Sequence, residues 1–129
     1  MTRNELEQLI SEDYGAPAEY PFERYPDFSV FRHASNRKWF AVLMTIPGQK
    51  LGLSGGDIDV VNLKCAPEII SSFRQEAGIF PAYHMSKRHW ISVSLDGTVD
   101  RDKVIWLLDL SYELTLPKKR KTQKAKGSV

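Results

Sequence analysis

Apolar residues recur at two different spacings along this chain, and the changes of spacing predict where helices and strands lie. Thr2 followed by Glu5 has the pattern of a helix-capping box, and apolar residues at helical spacing follow it, which predicts a helix over residues 3–13. Three apolar, β-branched runs then predict strands at 28–33, 39–46 and 58–64. The polar or glycine-rich turns between these runs favour an antiparallel sheet.

The second half of the chain continues as helix, strand and helix. Pro67 suits the first turn of a helix that Gly78 would end. Residues 90–95 have a strand pattern, and residues 100–115 have the apolar spacing of a longer helix. Strands grouped apart from helices predict an α+β fold, a two-layer domain in which helices cover one face of an antiparallel sheet. The other face of the sheet would then be partly open to solvent.

The alternation within the last strand predicts which of its side chains face that open side. The side chains directed to the core are Ile91, Val93 and Leu95. The side chains directed to solvent are Trp90, Ser92 and Ser94. Trp90 would therefore lie on a polar surface beside a basic loop, or would pair across strands with Trp39.

The length of 129 residues predicts one domain, over residues 1–117, followed by a basic, flexible tail at 118–129. No apolar run reaches the roughly 18 residues needed to cross a bilayer, so we expect no membrane partner. The polar, acidic start of the chain argues against a signal peptide. A single cysteine, Cys65, fits the reducing cytoplasm.

The formal net charge of +2 conceals an uneven distribution of charge. Residues 118–129 hold six cations and no acid, which leaves residues 1–117 with 12 Lys and Arg against 16 Asp and Glu. Within that acidic body, residues 32–90 hold eight cations and only four acids. The positive charge is therefore concentrated in the middle of the chain and in the tail, which is typical of a protein that meets an anionic partner.

The densest group of binding residues is the loop at 81–90. Lys87 and Arg88 are suited to phosphate groups. The residues suited to stacking on nucleic-acid bases are Tyr83, His89 and Trp90. The alternative is that the aromatic rings anchor the loop to the sheet while the cations are merely solvated.

A second group of cations surrounds the predicted turn after the first strand. Arg37 and Lys38 lie in that turn and Arg32 just before it, so the turn is a candidate wing that reaches a nucleic-acid backbone. Lys64, at the end of the third strand, would extend the same basic surface. The alternative is an ordinary polar hairpin turn with a solvated lysine beside it.

Two further hypotheses compete with DNA binding. A protein-interaction module would use the open sheet face, with Trp39, Trp90 and Trp106 as anchors. A small-ligand or hydrolytic activity would centre on Cys65, His84 and His89, although the two histidines are five residues apart in a loop and fit no standard zinc spacing. No nucleophile or phosphate-loop motif is present, so we expect no enzyme activity, no metal and no cofactor.

Several motifs resemble the MmcQ/YjbR family of small bacterial proteins. The most specific is His84-x-x-Lys87-x-His89-Trp90 followed by Leu-Asp-Gly at 95–97. Val-Asn-Leu-Lys-Cys-Ala-Pro-Glu at 61–68 and Ser-Tyr-Glu-Leu at 111–114 add to the resemblance, which spans about residues 2–117.

The resemblance implies a CyaY-like (frataxin-like) fold and DNA binding through a double wing of β-hairpins. Carried onto this chain, it points to Lys64 and to the motif residues His84, Lys87, His89 and Trp90. We therefore expect DNA as the partner, bound weakly or without sequence preference, and a protein partner as the alternative.

Overall fold

The capping box expected at the start of the chain is present and begins the first helix. The backbone nitrogen of Glu5 donates to Thr2 Oγ1 at 3.1 Å, and the backbone nitrogen of Thr2 donates to the Glu5 carboxylate at 2.8 Å. Two backbone donors that the first turn of a helix leaves free are thus satisfied by side chains. The helix, α1, runs over Arg3–Asp13.

The computed structural model describes residues 1–117 and has three helices on a five-stranded sheet. After α1 the elements are β1 (Ser29–Arg32), β2 (Trp39–Pro47), a short 3₁₀ helix (Gly48–Leu51), β3 (Asp57–Lys64), α2 (Pro67–Phe73), β4 (Ile79–Pro81), β5 (Trp90–Ser94) and α3 (Arg101–Thr115). The sheet order is β1-β2-β3-β5-β4, and all neighbours are antiparallel. The predicted α+β class is confirmed. The sequence pattern missed the 3₁₀ helix and β4, which is three residues long and ends in proline.

All three helices pack on one face of the sheet, as predicted. Leu6 and Ile10 of α1 are fully buried there, and α2 and α3 add Phe73 and Leu108 to the same cluster. Ile91 and Val93 of β5 and Leu95 just after it join this cluster, as the alternation predicts. Burying each such side chain contributes about 1.5–3 kcal/mol, so this layer holds the domain together.

The other face of the sheet, which we call the far face, is not open, so this prediction was wrong. Val30, Met44 and Val60 on that face are at most 1% exposed. Three segments fold over it and add Phe22, Leu51 and Met85 to a second apolar cluster. The cover consists of the connection before β1, the 3₁₀ helix and the loop before β5.

The side chains of β5 that were expected in solvent are therefore buried. Trp90 is 9% exposed, Ser94 is 2% exposed and Ser92 is inaccessible. The serines remain compatible with burial because each has a hydrogen-bond partner: Ser92 Oγ donates to Asn62 Oδ1, and Ser94 Oγ donates to Asp96 Oδ1. Trp90 does not pair with Trp39 either, since its cross-strand partner is Lys64.

Helix α3 fixes one end of the sheet through polar contacts. Ser111 Oγ donates to the Phe40 carbonyl at 2.6 Å and accepts from the Lys64 backbone nitrogen at 2.8 Å, which ties α3 to two strands. His33 Nε2 lies 2.8 Å from Thr115 Oγ1 near the last turn of α3. These bonds fix the positions of the ends of β1 and β3 that carry the candidate site.

Candidate nucleic-acid interface

Antiparallel register brings the separate basic segments to the same end of the sheet. Arg32 faces Trp39 across β1 and β2, and Lys64 faces Trp90 across β3 and β5. The β4–β5 loop starts beside them because Pro81 pairs with Ile91. We call this surface the basic end and define it as the turn 33–38, Lys64 and the loop 82–89. The two groups of cations predicted from sequence thus lie at the same end of the sheet.

The cations of the basic end carry no acidic partners. The ion pairs found within residues 1–117 involve Arg3, Arg32 and Lys103, and none of the cations within the basic end. Those cations are Arg37, Lys38, Lys64, Lys87 and Arg88. All except the half-buried Lys64 are exposed, so their charge is available to an anion.

Arg32 differs from the other predicted contacts. Its guanidinium contacts Glu19 twice, with Nε 2.9 Å and Nη2 2.8 Å from the two carboxylate oxygens. A bidentate pair of this kind is geometrically specific and neutralises the arginine. Arg32 therefore supports the turn rather than offering free charge.

The loop of the basic end is held against the far face by buried bonds. The Tyr83 backbone nitrogen donates to Ser92 Oγ at 2.9 Å, and Asn62 Nδ2 donates to the Tyr83 carbonyl at 2.8 Å. Lys87 Nζ closes the loop on itself through the Ala82 carbonyl at 2.9 Å. Because a loop on a fixed scaffold loses little entropy on binding, this anchoring favours a recognition role.

Trp90 does not present its ring for stacking, contrary to the sequence interpretation. It is buried, its backbone nitrogen donates to the Ser86 carbonyl of the loop at 2.9 Å, and Lys64 Nζ lies 6.0 Å from the centroid of its ring. Trp90 thus fixes the end of the loop where β5 begins and lies beside a lysine. His89 is exposed, while its carbonyl accepts from the Cys65 backbone nitrogen at 2.8 Å.

An aromatic group that the sequence did not reveal borders the basic end. The ring of Tyr25 is 39% exposed and lies 5.5 Å from the ring of His84, which in turn lies 4.0 Å from Tyr83. Phe28 stacks beneath Tyr25 at 4.6 Å and supports it from the core. Tyr25 and His84 therefore replace Trp90 as the rings available to a base. The prolines around Tyr25 were the only sequence signal that this segment returns to the body.

Lys50 is a second residue that sequence reasoning missed. With Phe80, Tyr83 and Lys87 it lines a cleft of about 250 Å³ on the far face. Two lysines facing one cleft extend the positive surface beyond the loop. Nothing in the residues around Lys50 indicated this, because the contact depends on how the 3₁₀ helix folds over the sheet.

Two residues of the basic end have left-handed backbone conformations that non-glycine residues rarely adopt. Arg37 and His84 both have φ of 63°, and they are the only non-glycine residues with positive φ within 1–117. A side chain in this conformation adds about 1–2 kcal/mol of strain. Such strained residues cluster at functional sites, and both of these lie on the surface described above.

The group proposed for hydrolytic activity lacks a reactive thiol. Cys65 is 4% exposed, and burial raises the pKa of its thiol. A nucleophilic cysteine needs a lowered pKa and access to substrate, so Cys65 behaves as a core residue. Within the described part of the chain, no group of three or more His, Cys, Asp or Glu side chains is arranged to hold a metal ion. The expected lack of enzyme activity, metal and cofactor stays a prediction.

The protein-interaction hypothesis assumed an open sheet face, but the far face is covered and Trp90 is buried. Trp39 is partly buried and packs edge-on against Phe22 at 5.7 Å. Trp106 alone of the three tryptophans is substantially exposed, at 47%, and Lys103 Nζ lies 4.9 Å from its ring. A protein partner also stays a prediction.

Comparison with known proteins places this geometry in a family. Residues 4–114 match the sequence profile described as YjbR, which is most of the chain. The chain belongs to the YjbR family. The resemblance seen in the sequence motifs is thereby confirmed.

Relatives in this family are bacterial proteins that span almost the same length. The chain is 42% identical over 116 residues to YyaQ of Bacillus subtilis, described as uncharacterized, covering 89% of this chain and 98% of that protein. A crystal structure from Pseudomonas syringae superposes with a TM-score of 0.87 at 41% identity, covering 90% of this chain and all of that one. The Deinococcus radiodurans protein DR2400, with a domain described as DUF419, superposes with a TM-score of 0.70 at 27% identity, covering 97% and 86%. No helix within residues 1–117 is long and apolar enough to cross a membrane.

Proposed function

We propose that this YjbR-family chain binds nucleic acid through its basic end and has no catalytic activity. The observation that carries the proposal is that cations from three distant segments lie at one end of the sheet and form no ion pair with the acids of residues 1–117. A surface of this kind attracts a phosphate backbone, since each phosphate contact releases a bound counterion.

The two parts of the surface are suited to different parts of a nucleic acid. Arg37, Lys38, Lys87 and Arg88 are exposed cations for phosphates, which position a strand without reading its sequence. Tyr25 and His84 offer rings that stack on any base, because every base has a π-face. This combination favours binding with little sequence preference.

The last turn of α3 lies beside this surface. Asn36 Nδ2, in the turn, donates to the Thr115 carbonyl at 2.8 Å, which holds the end of α3 against the turn that carries Arg37 and Lys38. Residues 118–129 carry six cations and would add electrostatic affinity. Their predicted flexibility falls outside the described residues.

The charge of the remaining body limits the strength of binding. Residues 1–117 carry 12 cations against 16 acids, so a duplex approaching from other directions is repelled. We therefore propose weak binding that is directed to the basic end and steeply dependent on salt.

The test is fluorescence anisotropy of a labelled duplex over a salt series. The proteins compared are the full chain, a chain ending at Pro117, and Lys87→Ala/Arg88→Ala in each. Arg74→Ala/Arg101→Ala is the matched control, because it removes two exposed cations away from the basic end. We expect the loop variant to bind less tightly, with a salt slope shallower by about 2, and the control to resemble the parent.

The chain ending at Pro117 separates the domain from the tail. Residual binding with a clear salt slope would support a nucleic-acid surface on the domain. Loss of all binding on truncation, or equal effects of the loop and control variants, would contradict the proposal.

A further inference from the structure

A cavity of about 400 Å³ opens beside the turn of the basic end, on the side away from the β4–β5 loop. Its walls come from the connection after α1, the turn 33–37 and the end of α3. Volumes of 300–1,000 Å³ are typical of small-molecule sites. Arg32 and Arg37, which the sequence predicted as phosphate contacts, line this cavity, but the sequence did not predict the cavity itself.

One wall of the cavity is aromatic. The ring centroids of Tyr14, Phe40 and Tyr112 lie 5.0–6.0 Å from one another. Phe40 is placed among them by a β-bulge, since the register passes from Phe31 opposite Ala41 to Arg32 opposite Trp39. Phe40 is fully buried, whereas Tyr14 and Tyr112 are partly exposed and offer faces for a planar ring.

His33 supplies a hydrogen-bond acceptor to the same cavity. Its Nε2 lies 3.1 Å from the Tyr112 carbonyl, which can only accept, so Nε2 carries the hydrogen. Burial lowers the pKa of His33, which keeps the ring neutral near pH 7 and leaves Nδ1 as an acceptor.

Nδ1 is the ring nitrogen of His33 left to accept from a ligand. Both side-chain hydrogen bonds that His33 forms within residues 1–117 are made by Nε2. His33 lines the cavity although it is only 4% exposed, so a hydrogen-bond donor held there is placed beside its ring.

Charged groups at the cavity rim indicate which further chemical groups a ligand should carry. The Glu19 carboxylate, paired with Arg32, adds a second acceptor, and Arg37 adds a cation that forms no ion pair with residues 1–117. Acceptors beside an aromatic wall fit a planar ring that carries N–H donors. Arg37 at the rim fits a phosphate attached to that ring. A nucleotide combines both features.

We infer that this cavity receives one unpaired nucleotide from a strand held at the basic end. This inference rests on the proposed function, because the turn 33–38 serves both the phosphate surface and the cavity rim. Its base lies against the tyrosine wall and donates to His33 Nδ1 or Glu19, while its phosphate meets Arg37. The domain thus distinguishes a duplex with an unpaired end from a fully paired duplex.

The experiment compares a blunt duplex with the same duplex extended by three unpaired nucleotides, using the full chain. We expect the extended duplex to bind about tenfold more tightly, in line with the stacking of one base on an aromatic side chain. Ala34→Trp places a large ring at the cavity rim from an exposed position and is expected to abolish this preference. Ala34→Ser is the matched control and should retain it.

Further comparisons distinguish failure of the cavity inference from failure of the proposed function. Lys38→Ala removes a phosphate contact outside the cavity lining and should weaken both duplexes equally. Equal affinity of the parent for blunt and extended duplexes would overturn the inference and leave the proposed function standing. Failure of both duplexes to bind would overturn both. If only free deoxynucleoside monophosphates bind in a manner that Ala34→Trp blocks, the ligand is a free nucleotide and the strand form is overturned.

Discussion

The two ends of the sheet in this YjbR-family chain are built from connections of opposite character. The basic end, with the turn 33–38, Lys64 and the loop 82–89, holds five cations and no acid. The opposite end, which we define as residues 52–57 and 95–100, holds three acids and no cation. Both ends join the same strands, so the fold does not dictate this difference in charge.

Backbone conformation separates the two ends in the same way. The opposite end uses Gly52, Gly55 and Gly97 at its positive-φ positions, where glycine is the least strained residue. The basic end has Arg37 and His84 in that conformation. It retains charged or aromatic side chains where glycine would be more stable, which is expected if those side chains bind a partner.

The largest expected effect comes from removing the anchor of the basic end. Trp90→Ala removes a large buried side chain where the loop joins β5 and should lower the free energy of unfolding by about 3–5 kcal/mol. Urea denaturation measures this change. Trp106→Ala is the control, since that ring is half exposed and its loss should amount to about 1 kcal/mol or less. Similar losses for the two variants would show that Trp90 is not an anchor.

Reversing the charge of one end tests the comparison directly. Lys87→Glu/Arg88→Glu should weaken duplex binding roughly 100-fold at about 0.1 M salt, because two phosphate contacts are lost and replaced by repulsion. Asp57→Lys changes charge at the opposite end and should alter affinity less than about threefold. Anisotropy titrations at matched salt measure both. Asp57→Lys changes the net charge by +2, half the size of the −4 of the double variant, so a gain of about tenfold in affinity would mean that net charge, not the basic end, determines binding.

Much of the fold could be predicted because hydrophobic spacing is a local property. The helices, the four longer strands and the capping box all follow from neighbouring residues. The covered far face could not be predicted in this way. Ser92 and Ser94 appear suited to solvent until Asn62 and Asp96 are seen to satisfy them, and the covering residues lie far away in sequence.

For the candidate site too, the sequence predicted what depends on neighbouring residues and missed what depends on distant contacts. Lys87 and Arg88 are evident from composition, and their exposure agrees with that interpretation. The neighbourhood of Tyr25 and His84 depends on two connections crossing over the far face, so no local pattern contains it. Trp90 was misassigned because alternation states which face a residue occupies and not what covers that face.

Between about pH 6.5 and pH 3.8, the free energy of unfolding should change with the titration of His33 at the basic end and not with that of Asp96 at the opposite end. Because burial lowers the pKa of His33, the unfolded chain takes up a proton below about pH 6.5 while the folded chain does not. Stability is thus fully present above pH 6.5 and falls as the pH drops toward the lower folded pKa, by at most about 1.4 kcal/mol per pH unit. Hydrogen bonds from the side chain and backbone of Thr98 lower the pKa of Asp96 at the opposite end, so its contribution is lost only below about pH 3.8.

Urea denaturation at pH 7.5, 6.5 and 5.5 measures this difference. His33→Gln keeps a side-chain donor near Thr115 but cannot titrate, so its stability should vary less with pH than that of the parent. The quantity to compare is the slope of the free energy of unfolding against pH. The substitution also changes packing, which shifts the free energy by a similar amount at every pH. Parallel pH profiles for the two proteins would contradict a role for His33.

The smallest expected effect separates stability from binding at the basic end. Arg37→Gly relieves a strained backbone, and after the added flexibility of the unfolded chain is subtracted the domain should gain about 0.5–1 kcal/mol. The same change removes an exposed cation from the turn, so duplex affinity should fall about fivefold. Thermal unfolding and anisotropy on one preparation measure the two quantities. Gly52→Ala at the opposite end provides the reverse case, because it introduces strain and should lower stability without affecting affinity. A stabilised Arg37→Gly variant with undiminished binding would mean that the strain at this position is not maintained for contact with nucleic acid.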